Sequence, residues 1–366
     1  MLQPLVLKDP VPMTEDLKIR SSVDRTSRRS VRYGLGAVVA IVTLACLPNV
    51  AAAHVKWFCP YDVSEAPKNL GWGLDRDFIC LICVAASVFT VAALIENTIL
   101  GRAIIWSMDR VTAGERRSTE TLMRAVYGAF FVALWTVGGI ILTPELLTPN
   151  TWVSWLQLTI AACFIWRETL IYAAAGIVFL YGYALVHYGL FHLMDYPIFL
   201  GSAGYFAMVG LERTRWDVRP LDVVRCAASV TLMWASVEKW GYPQWTYPLF
   251  VAHPEMAMGF SVPFYMKAAG VVEFSLAFAL IGTPLMRRTA AIILAAMFVA
   301  AILEFGKIDA VGHAPIIVVM LAVAADNATG RGHSPLRAPV WYFVALIVVV
   351  SAYYAGHAVL FPAGNS

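Results

Sequence analysis

A chain of 366 residues with 60% hydrophobic residues, 14% charged residues and a mean hydropathy of +0.69 is too apolar for a water-soluble globule, where about 45–50% apolar and 25% charged are usual. The formal net charge of +3 is small and leaves a nucleic-acid role without support. Lipid is the expected solvent and the first expected partner.

Residues 1–33 are polar and basic, hold Pro10 and Pro12 and lack helical periodicity, which predicts a cytoplasmic leader. Beyond it, mainly apolar windows approaching the ~20 residues that a spanning helix needs recur along the chain. They cover 34–53, 78–99, 122–142, 152–166, 169–187, 194–211, 220–237, 261–282, 288–304, 312–325 and 339–360. The expected fold is therefore all-α, a polytopic transmembrane helix bundle of about 10–11 spans. The first window has a second reading: Arg28, Arg29 and Arg32 precede it and Ala51-Ala52-Ala53 closes it, as in a cleavable signal peptide, and cleavage there makes His54 the new N-terminus. Residues 100–120 predict an amphipathic surface helix with a basic side turned to anionic headgroups.

Orientation follows from the arginines, because Lys and Arg in short loops mark the cytoplasmic side. With the N-terminus inside and the C-terminus outside, every arginine except Arg76 falls in or beside an inner segment. The expected location is a bacterial inner membrane. In that frame His54, His187, His192, His253, His313 and His357 lie at the outer ends of spans or in outer loops, with His333 alone inside.

Imidazole is the commonest metal ligand and titrates near neutral pH. The outer histidines His54, His187, His192 and His253, with Cys59 and the Cys80-x-x-Cys83 pair whose i, i+3 spacing shares a helix face, make a candidate copper site. Alternatives are a disulfide from Cys59 to Cys80 or Cys83, unpaired core thiols, and ordinary interfacial histidines. The His187 to Pro197 segment, with His192 and Asp195, reads as a wet loop with aromatic anchors. The Glu238 to His253 stretch, rich in proline and aromatics, reads as a re-entrant or interfacial segment across the bundle mouth.

Ionisable residues inside apolar windows are costly and usually face the bundle interior in pairs. Lys267 and Glu273 are such residues; six apart, they do not share a face, and Glu238 offers a partner for Lys267. Glu304, Lys307, Asp309 and His313 crowd the turn before the tenth window. Together with Glu238 and Lys239 these groups form a candidate cofactor-binding set near the outer leaflet.

From about 220 to 325 the chain resembles the DoxX-like family of four-helix membrane proteins. The resemblance is carried by Arg225, Glu238-Lys239-Trp240 with the Pro and aromatic loop after it, Gly270-Val271-Val272-Glu273, Arg287-Arg288 and Gly312-His313. Met233-Trp234-Ala235-Ser236 stand where the family usually places small residues before the lysine. The resemblance implies a four-helix module in the C-terminal half and an association with respiratory or sulfur-linked redox systems, on the quinone side or as an anchoring subunit of an oxidoreductase complex. The expected organisation is a leader at 1–33, an N-terminal bundle at 34–219, the DoxX-like module at 220–325, and a cytoplasmic loop with a last span at 326–366.

Three functional readings follow. The first is a quinone- or respiratory-linked redox component with a periplasmic-side site and a redox partner subunit or periplasmic electron carrier. The second is a periplasm-facing copper binder or transporter. The third is a scaffold without chemistry, since no nucleotide loop, nucleophile elbow, H-E-x-x-H or C-x-x-C-H motif is present in the sequence.

Overall fold

Residues 61–212, 218–257, 259–327 and 337–362 are described by a computed structural model, in which they are helical with irregular connections and one isolated antiparallel bridge, Ile140 to Leu147. The leader, the 34–53 window, His54 and Cys59 lie outside the described residues.

Each described apolar window has become a helix. In chain order they are α1 (Arg76–Glu96), α2 (Ile99–Val111), α3 (Ala113–Val137), α4 (Thr151–Cys163), α5 (Leu170–Leu193) and α6 (Pro197–Gly210). There follow α7 (Pro220–Gly241), α8 (Pro243–Ala252), α9 (Val262–Ala279), α10 (Pro284–Phe305), α11 (Lys307–Ala325) and α12 (Arg337–Leu360). Among the described residues six helices are long and apolar enough to cross a membrane, namely α1, α5, α9, most of α10, α11 and α12. The chain is accordingly a multi-pass membrane protein. Helices α4 and α6, with 13 and 14 residues, are shorter than the ~20 a full crossing needs.

Burial sorts these helices by depth. In the apolar window of α11, 78% of residues are buried, against 22% for α1 and 17% for α12, so α11 is a central post and the other two face lipid. Helix α7 packs on α6 and α9, and α10 packs on α11. Gly270 lets α9 approach α7: a Cβ there would stand 2.7 Å from the Trp240 ring and 3.1 Å from the Ser236 carbonyl oxygen. That contact sets Glu273, three residues on, beside the last turn of α7.

Two predicted elements are revised. The 100–120 surface helix breaks at Thr112, whose hydroxyl donates to the Met108 carbonyl at 2.8 Å, so residues from Ala113 onward open α3 instead. The 122–142 window ends early, because Gly138 and Gly139 both take φ +70, a left-handed setting that ends a helix and suits glycine. The chain then folds back: Thr148 N–H donates to Gly139 O at 2.9 Å, and the buried Gln157 amide donates to both Ile140 O and Ile141 O at 2.7 Å.

Among the described residues, Arg116, Arg219, Arg287 and Arg288 gather at one end of the bundle. The fully buried Arg288 donates to Asp109 at 2.7 Å, to Ala324 O at 2.8 Å and to Thr112 at 3.1 Å. Arg116 reaches Asp109 at 3.1 Å and Ala325 O at 2.9 Å, while Arg219 and Arg287 converge on Asp326. Arg288 and Arg116 satisfy carbonyls at the C-terminus of α11 that no helical N–H can reach, and all four cations favour the negative end of its dipole.

The α7–α9 contact can be tested by substitution. Gly270→Val, which must displace Trp240, is expected to cost about 1–3 kcal/mol in thermal or denaturant unfolding of the detergent-solubilised protein. Gly182→Ala, where nothing lies within 4 Å of the added carbon, is the control and should leave stability equal or slightly higher.

Candidate functional site

At the opposite end of the bundle, α7, α9 and α11 each present ionisable side chains to a common space. Lys239 in the last turn of α7 donates to Glu273 of α9 in a half-buried ion pair. The turn at Gly306 starts α11 and leads to Asp309 and His313, one helical turn apart on one face, joined through His313 Nδ1 and Asp309 Oδ2 at 2.9 Å. Asp309 is fully buried and His313 nearly so. The contact engages the Nδ1 side of the imidazole ring.

These four side chains contribute to the wall of a cavity of about 540 Å³. Most of the remaining wall is apolar: Leu249 and Phe250 from α8, Met266 and Ala269 from α9, and Leu294, Met297, Phe298 and Phe305 from α10. Met297 is partly on the outer surface of α10, so the cavity's apolar side borders the lipid-facing surface. Helix α8, with Trp245, Leu249 and Phe250 buried, supplies Thr246, Leu249 and Phe250 to the cavity wall.

A second, smaller cavity of about 80 Å³ shares Glu273, Phe298 and His313 with the first. Its other polar lining is Thr143, Asp195, Tyr196, Thr231 and Glu238. Within α11, Pro315 lines this space and has no N–H to offer the Val311 carbonyl one turn back.

Next to it lies a buried acid–base pair that sequence reading did not assemble. His192 Nε2 is 2.8 Å from Glu145 Oε1 and 3.3 Å from the Tyr61 hydroxyl, and Tyr196 donates its hydroxyl to the same Glu145 oxygen. His192 and Asp195 are buried while His187 and Leu190 are exposed, so only the second part of the wet loop expected at 187–197 turns into the interior. Burial first, and then the negative charges of Glu145 and Asp195, hold the Tyr196 phenol well above its ordinary value of 10.0. Tyr196 therefore remains a donor.

Of the predicted cofactor set, Lys239, Glu273, Asp309 and His313 come together, and Glu238 lines the smaller cavity. Lys267 is buried with Asp75, the N-cap of α1, as the carboxylate that holds it, a correction to the expected pairing with Glu238. Lys307 is half-buried at the first position of α11, outside both cavity walls, and the Glu304 side chain lies outside the description.

The predicted metal set separates. Cys80 and Cys83 do share a face of α1, but it is the exposed face, opposite the buried Phe78 and Ile82. His187 is exposed with Nδ1 at 2.8 Å from Tyr183 O, His192 is held by Glu145, and His253 caps α8 with its ring 5.8 Å from Phe305. Among the described residues no three His, Cys, Asp or Glu side chains are grouped to hold a metal ion. The i, i+3 rule places two thiols together but does not say whether they face protein or lipid.

Comparison of the chain with family models, with curated proteins and with solved structures gives no match.

The Lys267–Asp75 pair yields a pH test. Hydrogen bonding from the Lys267 ammonium, and then from the Phe78 backbone N–H, holds the Asp75 carboxyl below its ordinary value of 3.8. Because the folded-state value is the lower one, this stabilisation is complete above pH 3.8 and is lost as pH falls through the depressed value. Asp75→Asn keeps a capping side chain but no charge. It should melt below the wild type at neutral pH, and the gap should narrow on acidification below pH 3.8 in thermal unfolding.

Proposed function

We propose that this protein is a bacterial inner-membrane redox component that binds the ring of a lipid-soluble quinone in the larger cavity, on the periplasmic side. The observation that carries this reading is the cavity's two-sided chemistry. A volume of about 540 Å³ falls in the range of small-molecule sites, roughly 300–1,000 Å³, with ionisable groups on one side and apolar surface over most of the rest.

A quinone matches both halves. Its carbonyl oxygens accept hydrogen bonds from an ammonium or an imidazolium, its reduced hydroxyls donate to a carboxylate or a neutral imidazole, and its isoprenoid tail has the chemistry of lipid. Lys239 and His313 would serve the oxidised ring; Glu273 and Nε2 of His313 would serve the reduced one. Desolvation on closing the site strengthens each of these contacts. The electrons would pass to or from a partner subunit or a periplasmic carrier.

The DoxX-like resemblance supports the same reading. Helices α7, α9, α10 and α11 pack together over the matching region, and Glu238-Lys239-Trp240, Glu273 and Gly312-His313 meet at one end of them. The arginine rule assigns that end to the periplasm, because the arginines cluster at the other.

The test is equilibrium binding of a decyl-tailed benzoquinone to the full-length protein in lipid nanodiscs. Saturable binding is expected, weakened about tenfold by His313→Gln or Glu273→Gln, the loss of one hydrogen bond involving a charged group. Met297→Trp, which fills the lipid side of the cavity, should weaken it further. Binding absent in the wild type, or equal in all three variants, would contradict the assignment.

A further inference from the structure

The smaller cavity has no part in holding a ligand ring, yet polar side chains line part of its largely apolar wall and it connects two titratable clusters. One side is formed by His313 and Glu273, which also line the larger cavity. The other side is formed by Tyr196 and Asp195, and the Tyr196 hydroxyl is already bonded to Glu145, which is bonded to His192. Burying a carboxylate, an imidazole and a phenol in contact within a membrane protein is expensive, and chains of such groups are typical of proton relays.

Size allows the gap between the clusters to be bridged. One water needs roughly 10–15 Å³ of space and two to four polar partners. A cavity of about 80 Å³ lined by Thr143, Thr231, Asp195 and Glu238 offers room and partners for several.

We infer that Tyr196, Glu145 and His192 form a proton path between His313 in the larger cavity and the outer face of the bundle. This rests on the reading that the ligand in that cavity exchanges protons.

A proton accepted by His313 passes through water in the smaller cavity to the Tyr196 oxygen as Tyr196 gives its own proton to Glu145. Glu145 passes it to His192 in the tautomer whose Nε2 carries no proton, and His192 releases it to the hydroxyl of the half-buried Tyr61, which touches the same nitrogen at 3.3 Å and gives up its own proton towards the outer face. One proton enters and one leaves, and each group is restored. Charged and titratable groups facing His313 are Asp309 on its own helix, Glu238 and Lys239 of α7, and Glu273 of α9. Those facing Glu145 are His192, Tyr188, Tyr196 and Asp195.

The experiment follows protonation of His313 by time-resolved infrared spectroscopy after a flash-released proton jump, in full-length protein in nanodiscs without ligand. The band is assigned by its loss in His313→Gln. Tyr196→Phe and Glu145→Gln are expected to slow protonation by about tenfold or more while the equilibrium titration midpoint of the band is preserved, and Glu145→Asp should recover part of the rate. An unchanged rate in Tyr196→Phe would overturn the path, and this variant, lacking only a hydroxyl, decides the matter if Glu145→Gln does not fold. The readout uses no quinone, so failure of benzoquinone binding would sink the functional assignment alone, whereas normal binding with an unaltered protonation rate would sink the path alone.

Discussion

Charge buried among apolar helices must be paired, and the Lys239–Glu273 contact between α7 and α9 is the pairing on which the cavity end of the bundle depends. It fixes where α9 lies along α7, with Gly270 permitting the close approach and Trp240 packed against it. Residues of α7, α8, α9, α10 and α11 enclose the larger cavity beside this contact. The same requirement explains Lys267 on Asp75, and His313 likewise stands beside Asp309, one helical turn back on its own helix.

The two ends of the bundle use charge differently. At the arginine end, guanidinium groups with several donors tie carboxylates and terminal carbonyls of α2, α7, α10 and α11 into a clasp, with Arg288 fully buried at its centre. Arginine does not titrate in a protein, so this clasp is suited to holding helices in place. At the other end the groups are histidine, glutamate, aspartate and lysine, whose protons can move.

Much of this was legible in the sequence because its signals are local. Apolar windows bounded by charge mark the helices; ionisable residues inside those windows mark Glu273 and His313, and Lys239 and Asp309 stand just outside the ends of theirs. What was not legible depends on long-range folding. Glu145 meets His192 across 47 residues, and Lys267 meets Asp75 across 192, with no periodicity linking either pair. Helix ends were also obscure where apolar composition continues past a break, as at Gly138, since Ile140, Ile141 and Leu142 are as hydrophobic as the helix before them. The outward face of Cys80 and Cys83 is invisible for a related reason: a helix surrounded by lipid on one side and protein on the other is apolar all round.

The most direct test of this account is a double-mutant cycle at Lys239 and Glu273, read by reversible unfolding of the full-length protein in detergent micelles. Each single change, Lys239→Met or Glu273→Leu, leaves one charge buried without its counter-ion, and the double variant removes both. The account predicts that the double variant is more stable than the sum of the single losses allows, with a coupling on the order of 1–3 kcal/mol. Strictly additive losses would show that the pair does not hold α7 to α9.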